Sequence, residues 1–216
     1  PAISIVSITT DTANTSDFIT SDNTLIFSGT ATSGVSVEVV LKDASNNVIF
    51  TETVTATGGN WSIDRTAAAA LADGSYTLSA KATDGFNNTS TVNQTVVVDT
   101  TAPAAPAVNA SITNDTTPVL TGTANVGAGE ALSVTVNGVT YTTSGGHLSY
   151  NAGNGTWSLT IPAGNALAQG TYAVTATATD TAGNATSDST TNELTVDTTA
   201  PAAPGATLAT DTGASS

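Results

Sequence analysis

Apolar and polar residues alternate along most of this chain. In residues 76–83 the apolar positions are Tyr76, Leu78, Ala80 and Ala82, which share one face of an extended segment. Tyr172, Val174, Ala176 and Ala178 repeat that arrangement further on. The same period of two predicts strands over residues 3–8, 25–31, 36–42, 48–56, 61–65, 76–83 and 91–99. Turn-forming residues separate such segments: Gly58-Gly59-Asn60, Asn137-Gly138, and the stretch 151–155. The alanine-rich run 67–72 is too short to be a stable helix alone. It predicts one helical or 3-10 turn crossing from one sheet to the other.

The pattern occurs twice. Residues 98–106 and 196–204 both read VDTTAPAAP, with Asp99 and Asp197 98 positions apart. SGTA at 28–31 answers TGTA at 121–124, and GNWSI at 59–63 answers GTWSL at 155–159. LADGSYTLSAKATD at 71–84 answers LAQGTYAVTATATD at 167–180. The chain is therefore two copies of one unit. The expected domains are 1–101 and 102–199, with 200–216 forming a linker and the start of a third copy. ATDTGASS at 209–216 resembles TTDTANTS at 9–16. Pro1 is not a natural start, so a piece excised from a longer protein is expected. About seven short strands per copy is the pattern of an immunoglobulin-like sandwich. The expected fold class is all-β: two tandem immunoglobulin-like antiparallel β-sandwiches, end to end.

Composition narrows the function. Of 216 residues 39% are hydrophobic and 9% charged, too apolar for a disordered acidic tail. The formal net charge is −14, and Lys42, Arg65 and Lys81 are the only cations apart from the terminus. Nothing here neutralises phosphates, which excludes nucleic-acid binding and attachment to anionic membranes. No apolar run approaches the ~20 residues a membrane helix needs, and no signal-peptide pattern opens the sequence. Cysteine is absent, which removes disulfides, thiolate metal sites and cysteine nucleophiles. The expectation is an acidic, extracellular, monomeric protein.

Catalytic chemistry finds little support. His147 is the only histidine and has no partner of its kind. Glu38, Glu52, Glu130 and Glu193 are scattered on alternating strands or in a loop, and no nucleophile motif is present. The expected answer is no enzyme. L-x-x-G-x-Y, at 71–76 and 167–172, matches a tyrosine corner, in which Tyr76 and Tyr172 return their hydroxyls to nearby backbone. Trp61 and Trp157 each open a strand, where packing is expected over sugar stacking.

The aspartates carry the candidate chemistry. Thirteen of the 17 acids are Asp, many of them in loops. Asp11, Asp17 and Asp22 lie in the first inter-strand loop, Asp99 at the junction, and Asp84 and Asp180 before the last strand of each copy. Short carboxylates on loops suit Ca2+, which takes oxygen ligands in loose geometry. Asp also favours turns through Asx-type bonds, and that reading stands beside the metal one. Sandwich topology would bring Asp11, Asp17 and Asp99 of the first copy towards Asp180 of the second. Two carboxylates ~5 Å apart repel by about 3 kcal/mol at an effective dielectric near 20. Either the linker splays or a cation occupies the junction. The second copy keeps only Asp115 in its corresponding loop, so a like site at its far pole needs Asp197 and Asp211. Asn88 and Asn184 would add carbonyl ligands or simply turn the chain.

This combination resembles the bacterial Ig-like repeats of giant type I secreted adhesins of the RTX kind. The resemblance rests on VDTTAPAAP, SGTA/TGTA, GNWSI/GTWSL, LADGSY/LAQGTY and ATDTAGN at 178–184. It implies a stalk segment at the bacterial cell surface that carries a distal ligand-binding domain, for adhesion or biofilm formation. Its partners would be neighbouring Ig-like repeats of the same chain. It also implies Ca2+ near domain junctions, with Asp99, Asp180 and Asp197 as junction ligands and Asp84 at the pole facing an upstream neighbour. The alternative function is a carbohydrate- or protein-binding module. Residues 142–155 of the second copy, with His147, Tyr150 and Asn151, are the candidate patch for that role or a longer hairpin.

Overall fold

The protein's structure, a computed structural model, describes residues 1–205. The expected start of a third copy at 209–216, and Asp211 with it, lie outside the described residues. The first repeat contains β1 (Ile3–Thr9), β2 (Ile19–Thr20), β3 (Ile26–Ala31), β4 (Ser36–Asp43), β5 (Val48–Thr55), β6 (Asn60–Asp64), β7 (Gly74–Thr83) and β8 (Thr89–Val98). One sheet runs β1-β3-β6 and the facing sheet β2-β8-β7-β4-β5. The second repeat contains β9 (Ala107–Val108), β10 (Ser111–Thr113), β11 (Val119–Thr123), β12 (Ala131–Val136), β13 (Val139–Thr142), β14 (Leu148–Asn151), β15 (Thr156–Thr160), β16 (Gly170–Tyr172), β17 (Val174–Thr179), β18 (Ala185–Ser187) and β19 (Leu194–Val196). Its sheets are β14-β15-β11-β9, β13-β12-β17-β18 and β10-β19-β16. The architecture is the expected all-β pair of sandwiches.

Each repeat has its own core. In the first, Phe27, Val37, Val39, Leu41, Leu78 and Val96 are fully buried between the sheets. In the second, Val134, Leu159, Ala176 and Leu194 are the counterparts. The alternation supplies both: in β4 the pattern Val37, Val39, Leu41 points inward while Ser36, Glu38 and Val40 point away. No helix forms over 67–72; a turn closed by the Ala68 N–H donating to the Arg65 carbonyl crosses the sheets instead. A six-residue run is below the length at which helical propagation offsets nucleation. The second repeat has a 3-10 turn at the matching crossover, Ala163–Asn165.

A tryptophan and a glycine lock each sandwich. Trp61 is buried, and its Nε1 donates to the Ser4 carbonyl at 3.0 Å. The ring lies across Gly29, where a Cβ would sit 2.0 Å from that carbonyl oxygen and 2.7 Å from the ring. Trp157 does the same over Gly122, donating to the Ala107 carbonyl at 3.2 Å. The tyrosine corner is also present twice. The Tyr76 hydroxyl donates to Ala72 O at 2.7 Å, and that of Tyr172 to Ala168 O at 2.8 Å. Tyr76 is buried and Tyr172 half-buried. Tyr76→Phe is therefore expected to cost about 1 kcal/mol, the net value of one such bond. Tyr172→Phe should cost less, and equal urea midpoints for wild type and Tyr76→Phe would count against the assignment.

Two pairings depart from the antiparallel rule. The first edge segment of each repeat leaves one sheet and joins the other, running parallel to the last strand. β2 pairs with β8, where Val97 N donates to Phe18 O and Asp99 N to Thr20 O, each at 2.9 Å. β10 pairs with β19, where Ser111 N donates to Glu193 O at 2.7 Å and Asp197 N to Thr113 O at 2.8 Å. The crossing between sheets takes residues 10–18 in the first repeat and only Asn109 and Ala110 in the second.

Candidate functional site

The longer crossing, residues 10–18, projects at the pole where β8 ends. It is held from within. The Thr10 N–H donates to Asp22 Oδ2 at 3.0 Å, the Thr20 hydroxyl to the Thr10 carbonyl at 2.5 Å, and the Ser21 N–H to Thr12 Oγ1 at 2.8 Å. Against this loop sits the turn at 180–184 of the second repeat. The Thr12 hydroxyl donates to the Ala182 carbonyl. Asn184 Nδ2 donates to the Asp99 carbonyl at 2.7 Å. Ala182 is 0% exposed, although it belongs to neither core cluster. Gly183 has φ +89°, and a Cβ there would meet the Ala13 Cβ at 3.4 Å. Small residues thus let the turn seat closely.

The turn itself is built by its aspartate. Asp180 Oδ1 accepts the Asn184 N–H and Oδ2 the Asn184 side-chain amide, both at 2.9 Å. Asp84 does the same with Asn88, at 2.9 and 2.8 Å, and also accepts the Phe86 N–H. A third instance, which sequence reasoning did not single out, joins Asp43 to Asn47. Asp-x-x-x-Asn before a strand is the signal that identifies it. The Asn88 amide beside Asp84 holds that carboxyl below its ordinary value.

Other expected ligands are also turn acceptors. Asp22 Oδ1 accepts the Thr24 N–H at 2.9 Å and the Thr24 hydroxyl at 3.0 Å. Burial pushes Asp22 up, but the bonds from Thr24 and Thr10 outweigh it and hold the carboxyl low. Asp17 accepts the Ile19 N–H at 3.0 Å, Asp99 the Thr101 N–H at 3.1 Å, and Asp197 the Thr199 N–H at 2.9 Å. Asp11 differs. It is 8% exposed, accepts only a long 3.4 Å bond from Phe18 N at Oδ2, and its Oδ1 has no donor. Burial raises its carboxyl above the ordinary value, and the nearby Asp17 charge adds to that.

The expected gathering of three or four carboxylates is not what the junction contains. Among the described residues no three His, Cys, Asp or Glu side chains come together as a metal-binding group. The reason is local: the turn N–H groups hold most of these carboxylates back against their own backbone. Direct bonds from Thr12 and Asn184 join the repeats instead. In the candidate patch at 142–155, β14 adds to the edge of β15, and Leu148 is buried. The Tyr150 hydroxyl accepts from Val126 N at 3.1 Å and donates to Ala124 O at 3.2 Å. The segment is thus part of the sheet, with His147 edge-on to Tyr141.

The tryptophan lock occurs once per repeat, and so does a family match. The model of the bacterial Ig-like domain covers residues 1–100 and again residues 106–198. The chain belongs to the bacterial Ig-like domain family. A Ca2+-stabilized adhesin that helps an Antarctic bacterium reach out and bind ice is 24% identical, with TM-score 0.42 over 91% of this chain and 50% of that one. A tetra-tandem repeat in the extending region of a large adhesion protein is 28% identical, with TM-score 0.34 over 91% of this chain and 50% of that one. The present chain therefore spans half the length of these two. Murine CEACAM1b, at 12% identity, aligns with TM-score 0.52 over 91% of this chain and all of its own, a likeness of fold. Comparison with curated protein sequences gave no match. Two successive bacterial Ig-like domains thus meet at the loop 10–18 and the turn 180–184.

Proposed function

We propose that this chain is a structural extender: a stalk segment of a bacterial cell-surface adhesin that holds a distal binding domain away from the cell. Its units are the repeats at 1–101 and 102–199. The observation that carries this reading is the seat of the turn 180–184 on the loop 10–18, closed by Thr12 and Asn184. A flexible tether needs no such fitted contact, whereas a spacer that keeps its direction does. The low-charge Thr/Ser surface fits the same role.

Ca2+ at this junction belongs to the proposal. Asp11 provides the test of fit: a buried carboxylate whose Oδ1 has no donor is costly unless something positive meets it. Asp11 and Asp17 would hold the ion, with Asp99 and Asp180 on the two sides of the contact. Asp22 frames the loop, while Asp84 and Asp197 stand at the equivalent places on the outer poles. A bound Ca2+ would supply the positive charge that these carboxylates lack. Small-angle scattering in Ca2+ is expected to give an elongated particle with a narrow range of angles between repeats. Asn184→Ala combined with Thr12→Val should widen that range while each sandwich keeps its melting behaviour. A spherical envelope, or no change in the double variant, would sink the extender reading.

A further inference from the structure

The last strand of the first repeat, β8, pairs with β7 without a break, and Leu78, Ser79 and Ala80 face Gln94, Asn93 and Val92 across it. In the second repeat the matching strand is broken into β18 and β19. The cause is an insertion: 14 residues separate Asp84 from Asp99, but 16 separate Asp180 from Asp197. The surplus leaves residues 188–193 as a loop between the two strands, with Asn192 in the left-handed region at φ +65°. No acid lies between Asp84 and Asp99, whereas this loop has two, Asp188 and Glu193.

The two carboxylates stand where the partner strand would otherwise pair. The Val174 N–H donates to Glu193 Oε2 at 2.9 Å, and the Ala176 N–H to Asp188 Oδ1 at 2.7 Å. Residues two apart on a strand present these N–H groups on one edge, about 7 Å from each other. The Thr190 hydroxyl donates to Asp188 Oδ2 at 2.9 Å and adjoins the Glu193 carboxylate as well. It has one proton to give, and Glu193 Oε1 is left with no donor. Glu193 is 5% exposed. Burial pushes its carboxyl up, but the bonds from Val174, its own N–H and Thr190 outweigh that and hold it below its ordinary value. It is therefore ionised at neutral pH. The second repeat has no Lys or Arg to meet it, since Lys42, Arg65 and Lys81 all lie in the first. Its one histidine, His147, is edge-on to Tyr141. A buried carboxylate oxygen with neither donor nor counter-charge is costly.

We infer that the loop 188–193 holds one Ca2+ inside the second repeat, with Glu193 and Asp188 as its charged ligands and the Thr190 hydroxyl as a neutral one. These donors are all hard oxygens carried on a loop, the set that suits Ca2+, and backbone carbonyls and water complete the shell. Ser189, Thr190, Thr191 and Asn192 are exposed, so the ion reaches the pair from solvent. The site is separate from the junction, because every bond that builds it lies within the second repeat. It has no counterpart in the first repeat, where Val92 and Gln94 face β7 at the matching positions. The ion bridges the break in the last strand. The Glu193 carbonyl also accepts the Ser111 N–H at 2.7 Å, so fixing this residue fixes one bond of the β10–β19 pair.

The test titrates the full chain with CaCl2 in about 0.15 M KCl, which screens loose association with a protein of net charge −14. The amide resonances of Val174 and Ala176 report the site, and calorimetry gives its affinity. Asp11→Asn provides the background, because its first repeat should no longer respond to Ca2+. There both resonances are expected to shift and saturate together, and the unfolding midpoint of the second repeat to rise. Glu193→Gln keeps an oxygen for the Val174 N–H and turns an amide donor to the other side. It should fold at least as well without Ca2+, lose the rise in midpoint, and weaken binding about tenfold or more, because affinity follows the charge of the ligands. Asp188→Asn, at a half-buried position, should give the same loss of affinity where Glu193→Gln disturbs folding. Val174 and Ala176 resonances unmoved at about 10 mM Ca2+, above the range of weak extracellular modules, would overturn the inference. Shifts as large in Glu193→Gln and Asp188→Asn as in the background would show diffuse charge association and overturn it too. Neither result touches the extender reading, which is decided by the angles between repeats.

Discussion

Gly29→Ala is expected to destabilise the first repeat by about 3 kcal/mol, the upper end of the range for overpacking a core. The added methyl would lie 2.0 Å from the Ser4 carbonyl oxygen and 2.7 Å from the Trp61 ring. The first of these is backbone, so relief requires β1 to move off β3 or the indole to leave its seat. Either movement breaks the Trp61 bond to Ser4. Gly122→Ala should do the same to the second repeat, where the distances are 2.0 Å to Ala107 O and 2.4 Å to Trp157. Because the two cores are separate, each variant should shift one unfolding transition and leave the other in place. With a urea slope of about 1.5–2 kcal/mol/M, the shift is about 1.5–2 M. Gly164→Ala is the control, since its Cβ meets nothing within 4 Å. Unchanged midpoints in Gly29→Ala and Gly122→Ala would show that the glycine–tryptophan lock is misread.

Saturating Ca2+ should stabilise the first repeat, by about 2.7 kcal/mol at a hundredfold excess over Kd. The pH dependence identifies the group. Asp11 has a raised carboxyl, so the folded state holds its proton longer than the unfolded chain does. Its contribution is fully present below the ordinary value of 3.8 and is lost as pH rises through the raised folded value. Ca2+ should abolish that loss, because the ionised carboxylate then has a partner. Asp22 works in the opposite sense: its lowered carboxyl contributes above 3.8, and that contribution disappears as pH falls through the folded value. Asp11→Asn should therefore raise stability without Ca2+ at neutral pH and remove the response to Ca2+. Asp99→Ala should weaken that response and leave each sandwich folded. A calorimetric titration with no heat at millimolar Ca2+, together with scattering unaffected by chelator, would end the metal proposal and leave the extender.

Much of the fold was legible because strand alternation and the repeat reinforce each other. Leu78, Ala80 and Ala82 are spaced for one face, and Val174, Ala176 and Ala178 say the same thing again. β2 was missed because two residues carry no periodicity; its place is set by hydrogen bonds to β8. The break between β16 and β17 was hidden for another reason. There the Val174 N–H donates to the buried Glu193 carboxylate at 2.9 Å, a tertiary contact that alternation does not encode. The loop acids were legible as a group but not in their individual roles. Asp84 and Asp180 have the same local sequence logic as Asp43, and that logic builds turns. Asp11 has threonine rather than asparagine four residues on, and its burial depends on how loop 10–18 folds back on itself. Thr12, which joins the repeats, looks in sequence like any other threonine; Asn184 stands out with Asn88 as a carbonyl ligand or a turn residue, but it is its amide that donates across the junction.

The parallel pairing of β2 with β8, and of β10 with β19, has a mechanical meaning. The chain enters each repeat through its first strand and leaves through its last. Tension on the two ends pulls β2 against β8, and β10 against β19, along their lengths and in opposite directions. Their hydrogen bonds lie across the pull, so they must fail together rather than one after another. In the first repeat the bonds from Val97 and Asp99 form this shear clamp; in the second, those from Ser111 and Asp197 do. Both clamps end at the aspartate in the second position of VDTTAPAAP, where force passes into the following linker. A segment built in this way resists being drawn out by flow or by a tethered load until a whole clamp gives way at once.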